Sequence, residues 1–291
     1  MKNIFSKILG LGVVGCSALL LRSFYERKNF KTVQYDVISK KIDTKKKIVF
    51  LTDLHNNSFG KNNEKLFYAI DSISPDLILI GGDMITVKDK LGIENVLPLL
   101  KRLSGRYKCI YANGNHEQRL SENKFGLNYL QYKQIIEGMG IVYLSNNSLD
   151  IDDNICVHGL DLLKKYYYRR YKGGMDTGYI KEHIDIDRDK FNILLAHSPL
   201  FIKDYEESGV DLALAGHFHG GTIRLPGGIG LMTPQFHFFS RLVVGMKRLG
   251  NMVQIIGAGL GTHSVNIRLN DMSEIVVINL KPRKKNINLV Q

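Results

Sequence analysis

Between residues 47 and 112 the chain alternates short, unbroken apolar runs with stretches whose apolar residues recur at helical spacing. Residues 47–52 predict a strand buried on both faces. Residues 64–73 then place Leu66, Phe67, Ala69, Ile70 and Ile73 on one helical face, and the pattern stops before Pro75. A second strand is expected at 76–80, a helix at 94–103 that Pro98 starts or kinks and Gly105 ends, and a third strand at 107–112. This βαβαβ order points to parallel strands covered on both sides. A helix at 125–139, strands at 141–144, 155–158 and 191–196, a short helix ending at Ser208 and a strand at 211–215 continue the series. After residue 222 helical spacing fades. Short strands are expected at 222–225, 230–233, 242–246, 252–256 and 274–280, so the chain reads as a parallel half followed by an antiparallel one. Residues 164–174, with four tyrosines, two arginines and two glycines, read as an irregular loop too polar for core.

The N-terminus departs from this pattern. Residues 8–21 are apolar, Gly, Ser or Cys, and with Ile4 and Phe5 the run comes close to the roughly 20 residues that cross a bilayer. Residues 1–29 are therefore expected to form a membrane anchor or signal-like segment, a single pass holding a domain of residues 30–291 at the cell membrane. Val13-Val14-Gly15-Cys16 resembles a bacterial lipoprotein processing box, but the apolar run continues through Leu21 and suits an uncleaved anchor better. Lys2 and Lys7 on one side nearly balance Arg22, Arg27, Lys28 and Lys31 on the other, leaving a slight lean toward an extracytoplasmic domain.

Composition adds two constraints. With 291 residues and 44% hydrophobic content the chain can bury a large core in one domain. Its 40 Lys and Arg exceed its 28 Asp and Glu, a formal charge of +12 that attracts phosphates, acidic lipids or nucleic acid. Cys16, Cys109 and Cys156 show no metal-binding spacing, and the last two sit in apolar runs as buried free thiols.

The chemistry collects where strands end. The first ends in Asp53-Leu54-His55, the second in Gly81-Gly82-Asp83, the third in Gly114-Asn115-His116-Glu117, the fourth in His197 and the fifth in Gly216-His217-Phe218-His219. In open α/β sheets, ligands bind beyond the carboxyl ends of strands. Each cluster alone is ordinary turn chemistry, but turn chemistry has no reason to place histidine at four of five strand ends. In extended backbone His217 and His219 would face one side together. Carboxylate, imidazole and amide oxygen suit Mn²⁺, Fe²⁺ or Zn²⁺, and no thiolate site accompanies them.

In this order the motifs resemble those of the calcineurin-like metallophosphoesterase superfamily, over roughly residues 48–280, and specifically a membrane-associated, phosphodiesterase-like bacterial branch. The resemblance implies a four-layer αββα sandwich of two mixed β-sheets flanked by helices. It also implies two divalent metal ions, one on Asp53, His55 and His219, the other on Asn115, His197 and His217, with Asp83 bridging them. His116 would be the proton donor to the leaving oxygen, and Glu117 would orient it. The expected function is a membrane-tethered phosphodiesterase or pyrophosphatase. A hydroxide held between cations about 3.5–4 Å apart would attack phosphorus in a phosphoester substrate, possibly lipid-linked. Protein phosphatases of the superfamily carry Gly-Asp-x-x-Asp-Arg-Gly, whereas Asp83 is followed here by Met84-Ile85-Thr86-Val87-Lys88. A nuclease and a non-catalytic metal-binding scaffold are the alternatives, and nucleic acid is not the expected partner because no additional DNA-binding domain is visible. Arg224 reads either as a phosphate contact or as an exposed hairpin residue. His158, His237 and His263 fit no motif, with His263 expected nearest the site.

Overall fold

A computed structural model describes residues 2–88, 91–122, 124, 126–262 and 265–283, with the side chains of the first helix described from Gly12 onward. In chain order the elements are α1 (Lys2–Lys28), β1 (Phe30–Ser39), β2 (Lys46–Leu51), α2 (Glu64–Ile73), β3 (Leu77–Ile80), β4 (Thr86–Val87), β5 (Leu91–Gly92), α3 (Val96–Ser104), β6 (Cys109–Ala112), α4 (Asn115–Arg119), α5 (Tyr129–Glu137) and β7 (Val142–Leu144). They continue with β8 (Asn147–Asp152), β9 (Ile155–Gly159), α6 (Tyr179–His183), β10 (Phe191–Leu195), α7 (Ile202–Ser208), β11 (Leu212–Ala215), β12 (Arg224–Leu225), β13 (Ile229–Met232), β14 (Phe238–Ser240), β15 (Gly245–Leu249), β16 (Met252–Ile256) and β17 (Ser273–Pro282).

Two six-stranded sheets carry the fold, ordered β1-β17-β2-β3-β6-β7 and β15-β16-β11-β10-β9-β8. In the first, β2, β3, β6 and β7 are parallel, and β17 lies antiparallel to β2 but parallel to β1. In the second, β9, β10, β11 and β16 are parallel, with β8 and β15 as antiparallel edges. The expected division into a parallel and an antiparallel half therefore holds only in part. The late strands do pair antiparallel in β12-β13-β14 and in β15-β16, but β16 also extends the parallel core of the second sheet, and β17 crosses to the first.

Alternation along the strands separates the layers. Ile48 and Phe50 of β2 meet Leu79, Ile193, Leu214 and Ile255 between the sheets, while Val49 and Leu51 turn outward to Leu66, Ile70, Leu99 and Ile136 on α2, α3 and α5. On the far side, Leu194 and Ala213 pack with Tyr166, Phe201 and Tyr205 beneath α6 and α7. Every strand in the middle of a sheet is covered on both faces, which is why the central strands read as solid apolar runs. The result is the four-layer αββα sandwich. Tyr166, buried completely, shows that the 164–174 segment is not wholly too polar for core.

Helix α1 departs from the expected anchor. Among the described residues no helix is long and apolar enough to cross a membrane, so a single-pass span is not supported. Its last turns are polar and engage the domain: Ser23 and Glu26 are buried, the Arg268 backbone N–H donates to Ser23 Oγ (3.1 Å) and that of Asp271 to Glu26 Oε2 (2.9 Å). Further back, Val13, Val14, Leu19, Leu20 and Leu21 are exposed.

Candidate metal centre

The loops after β2, β3 and β6 from the first sheet and those after β10 and β11 from the second converge at one edge of the sandwich. Hydrogen bonding continues past the strand ends: Asp53 N–H donates to Gly82 O and His55 N–H to Asp83 O, both at 3.0 Å. These bonds lay the two loops side by side, which brings both carboxylates inward. Asp53, His55, Asp83, Asn115, His197, His217 and His219 are all buried. Their donor atoms form two groups, Asp53 with His55 and His219, and Asp83 with His197 and His217, the atoms of each lying within 4.8 Å of one another. His116 also lies within that distance of His55 and Asp83.

The His-x-His pair is not extended, as the sequence reading assumed. The strand ends at Ala215, and His217 and His219 both take left-handed backbone conformations (φ 67° and 46°) while Phe218 is buried between them. The chain thereby sends each imidazole to a different group of ligands. Asp53, His55 and Asp83 are left-handed as well (φ 53°, 47° and 51°), a conformation rare outside glycine and found where a site requires it. Glycine at 216 serves close approach. A Cβ there would lie 2.0 Å from Asp53 Oδ2 and 2.3 Å from Thr52 Oγ1.

Two fully buried carboxylates near each other demand positive charge. Burial pushes the Asp53 carboxyl up, His197 opposes this, and the balance is about 6. Burial acts on Asp83 in the same direction, but the charged His197, which is also hydrogen-bonded to it, outweighs burial and holds the carboxyl well below the usual range. Burial lowers His197, yet Asp83 and Asp53 raise it to about 10. His197 Nε2 stands 3.1 Å from Asp83 Oδ2 and 3.6 Å from Asp53 Oδ1. In the metal-free chain a proton on His197 thus sits where a cation fits. His55 Nε2 and His219 Nε2 are 3.2 Å apart, a separation suited to two ligands on arms of about 2.0–2.1 Å. Asn115 Oδ1 is a buried amide oxygen with no hydrogen-bond partner among the described residues, which a hard or borderline cation would satisfy.

Backbone contacts fix the tautomers. His197 Nδ1 lies 2.7 Å from Gly81 O and His219 Nδ1 3.1 Å from Gly261 O; a carbonyl only accepts, so each Nδ1 carries a proton and Nε2 is the atom turned to the cluster, which on His197 offers its lone pair once a cation displaces the second proton. His116 is wired the other way. The Val87 N–H donates to its Nδ1 (2.8 Å), so the neutral ring holds its proton on Nε2. That arrangement suits a proton donor and not a metal ligand. Glu117 does not touch the His116 ring in the hydrogen bonds it makes. Its carboxylate accepts from the N–H groups of Asp83 (2.8 Å), Met84 (3.0 Å) and Gly114 (2.9 Å) and from Tyr111 Oη (2.7 Å), so it positions the loops instead of the imidazole.

Sequence reasoning missed the surroundings of the cluster. A cavity of about 270 Å³ opens beside Asn115, His217 and His219 and is walled by Tyr167, Arg119, Arg169, Phe236 and Arg268. None of these wall residues stands in a recognisable motif, and the density of tyrosine and arginine at 164–174 was the one available signal. Arg224 is neither a phosphate contact nor an exposed hairpin residue, because it pairs with Asp271 and Glu274 in a largely buried ion cluster. His158 is structural, bonded to Ser148 Oγ (2.6 Å) and Asn192 Oδ1 (2.9 Å). His263 lies outside the described residues.

Residues 46–221 match the family described as calcineurin-like phosphoesterase. The chain is 31% identical over 264 residues to an uncharacterized metallophosphoesterase of Campylobacter jejuni, covering 87% of this chain and 63% of that protein, so it spans less than two thirds of that relative's length. It is 26% identical over 286 residues to the uncharacterized metallophosphoesterase YkoQ of Bacillus subtilis, covering 93% and 98%. It is also 26% identical over 239 residues to the phosphodiesterase YaeI of Escherichia coli, covering 80% and 82%. The five motifs fall inside or at the border of the matched region, and their side chains meet in one buried cluster: the chain belongs to the calcineurin-like phosphoesterase family.

Proposed function

We propose that the chain is a binuclear metal-dependent phosphodiester hydrolase. Asp53, His55 and His219 hold one cation, Asn115, His197 and His217 the other, and Asp83 lies between them. The observation that carries this reading is the opposite wiring of the imidazoles: His197 and His219 commit Nδ1 to backbone carbonyls and turn Nε2 to the cluster as the ligand atom, whereas His116 accepts a backbone N–H on Nδ1 and keeps its proton on Nε2. Mn²⁺, Fe²⁺ or Zn²⁺ suit the mixed carboxylate, imidazole and amide donors. When bound, the cations would supply an activated water and neutralise the phosphoryl oxygens. His116 then donates its Nε2 proton to the departing oxygen, and the Val87 N–H keeps the ring in that tautomer. Glu117 holds the backbone of both motif loops in register. The name of the Escherichia coli relative favours a diester over a monoester.

The decisive experiment is Mn²⁺-dependent hydrolysis of bis-p-nitrophenyl phosphate by the full chain, with Asp83→Ala as the inactive control. A folded parent carrying two metals per chain and no activity on mono- or diesters would refute the proposal. We place the enzyme at a lipid surface on the strength of the exposed apolar residues of α1. Sedimentation with anionic vesicles, lost in Leu19→Glu/Leu20→Glu, tests that placement; equal sedimentation of both proteins contradicts it.

A further inference from the structure

The tyrosine-rich segment, which the motif reading left unused, closes over the ligand cluster. Tyr166 is buried against Phe201 and Tyr179 (ring centroids 5.0 and 5.5 Å). Gln235, itself buried, donates its side-chain amide to the carbonyls of Tyr166 (3.0 Å) and Tyr168 (2.9 Å), the two residues flanking Tyr167, and its backbone carbonyl accepts from the Arg170 N–H (2.7 Å). These bonds pin the backbone on both sides of Tyr167. Its ring stands edge-on to His217 at 4.9 Å and lies 6.3 Å from His197. Two residues on, the Arg169 guanidinium stacks over Phe236 at 4.5 Å, and across the cavity Arg119 Nη1 donates to Val87 O (3.3 Å). Among the described residues neither arginine forms an ion pair with a carboxylate, although both line the cavity that contains His217 and His219. Guanidinium groups left without a carboxylate next to a cation site are suited to an anion beyond the one the cations hold.

We propose that residues 166–170 form a recognition strap for substrates with two adjacent phosphates, that is, diesters of pyrophosphate. The Tyr167 hydroxyl donates to the phosphoryl group seated over His217, and Arg169 with Arg119 holds the neighbouring phosphate. This rests on the phosphodiester hydrolase reading above. In hydrolysis the water oxygen bonds to the first phosphorus, the bridging P–O bond breaks, and the bridging oxygen leaves with the second phosphate, giving two phosphomonoesters.

A binding test separates the strap from turnover. Calorimetric titration of the Mn²⁺-loaded full chain with ADP and with AMP, which differ by one phosphate, should show ADP bound about tenfold or more tightly. Arg169→Ala and Arg119→Ala should each cut that preference at least about threefold, Arg169→Lys should keep part of it, and Tyr167→Phe should weaken both nucleotides alike because they share the first phosphate. A parent with no preference for ADP, or an Arg169→Ala variant that preserves the preference in full, overturns the strap. If the preference behaves as expected while bis-p-nitrophenyl phosphate is not hydrolysed, the strap stands and the hydrolase reading fails.

Discussion

His116→Asn isolates the proposed proton donor. The side chain is wholly buried, and its Nδ1 accepts the Val87 N–H at 2.8 Å. An asparagine amide oxygen reaches about the same position, so that N–H keeps a partner and the roughly 1–3 kcal/mol cost of leaving it unsatisfied is avoided. The backbone N–H of residue 116 still donates to Asp83 Oδ1 (2.7 Å), which keeps in place the carboxylate proposed to lie between the cations. What disappears is the proton on Nε2. Positioned general acids contribute about 10²–10⁴ in rate, or about 2.7–5.4 kcal/mol at 1.36 kcal/mol per factor of ten. That loss should appear in full only when the departing oxygen needs a proton. At saturating Mn²⁺, kcat on a diester with an alkoxide leaving group should fall by about 10²–10⁴, and kcat on bis-p-nitrophenyl phosphate, whose nitrophenolate departs as an anion, by less than about tenfold. Metal content should stay at two per chain. Equal losses on both substrates, or loss of a metal, would show that His116 acts as a ligand or a structural group and refute the tautomer argument.

Two further outcomes follow from the cluster. Gly216→Ala drives a methyl group to within 2.0 Å of Asp53 Oδ2. It should remove at least one metal per chain and abolish activity, read by elemental analysis; a fully loaded variant would mean that the loop yields easily. His197 holds its proton up to about pH 10 and Asp53 up to about pH 6 in the metal-free chain. Since a bound cation must displace them, metal affinity should rise with pH, by about tenfold per unit between pH 6 and 10, where one proton is released, and more steeply below 6, where a second joins. Calorimetry in buffers of different ionisation enthalpy counts those protons, and a pH-independent affinity would contradict the assignment.

The central strands were legible because parallel strands buried on both faces leave unbroken apolar runs. Helix α2 was legible because its apolar stripe is clean and Pro75 limits it, and it spans the expected Glu64–Ile73. The candidate ligands were legible because each follows directly on such a strand, so sequence adjacency carried their position. Longer-range facts were not. The partner of β17 lies across the molecule at β2, and nothing in a run of apolar residues states which sheet it joins. Strand β8 (burial intermediate to exposed throughout) lacks the apolar alternation that would have marked it. Tyr167 and Arg169 are held at the site by Gln235, over sixty residues away, which bonds to the backbone of their neighbours Tyr166, Tyr168 and Arg170, and Glu117 acts on backbone N–H groups that a side-chain motif does not describe.

Backbone strain at the cluster leads to one more consequence. Five of the seven proposed ligands, Asp53, His55, Asp83, His217 and His219, hold positive φ, and each such residue costs on the order of 1–3 kcal/mol. The sum, roughly 5–15 kcal/mol, rivals the net stability of a typical domain. Part is offset by the bonds that cross between loops, among them the His217 N–H to both Asp53 oxygens (3.1 and 3.0 Å) and the Leu260 and Gly261 N–H groups to Asp53 O (3.1 and 2.6 Å). Bound cations would supply the rest, taking over from the His197 proton that stands between the buried carboxylates in the metal-free chain. Two cations, each free at a hundredfold its Kd, contribute about 5 kcal/mol, which at about 2–4 °C per kcal/mol for a chain of this size is a Tm shift of about 10–20 °C. Differential scanning calorimetry before and after chelation reads that shift directly. A change of only a degree or two would mean that the left-handed loops stand without metal, and the strain would then need another source of support.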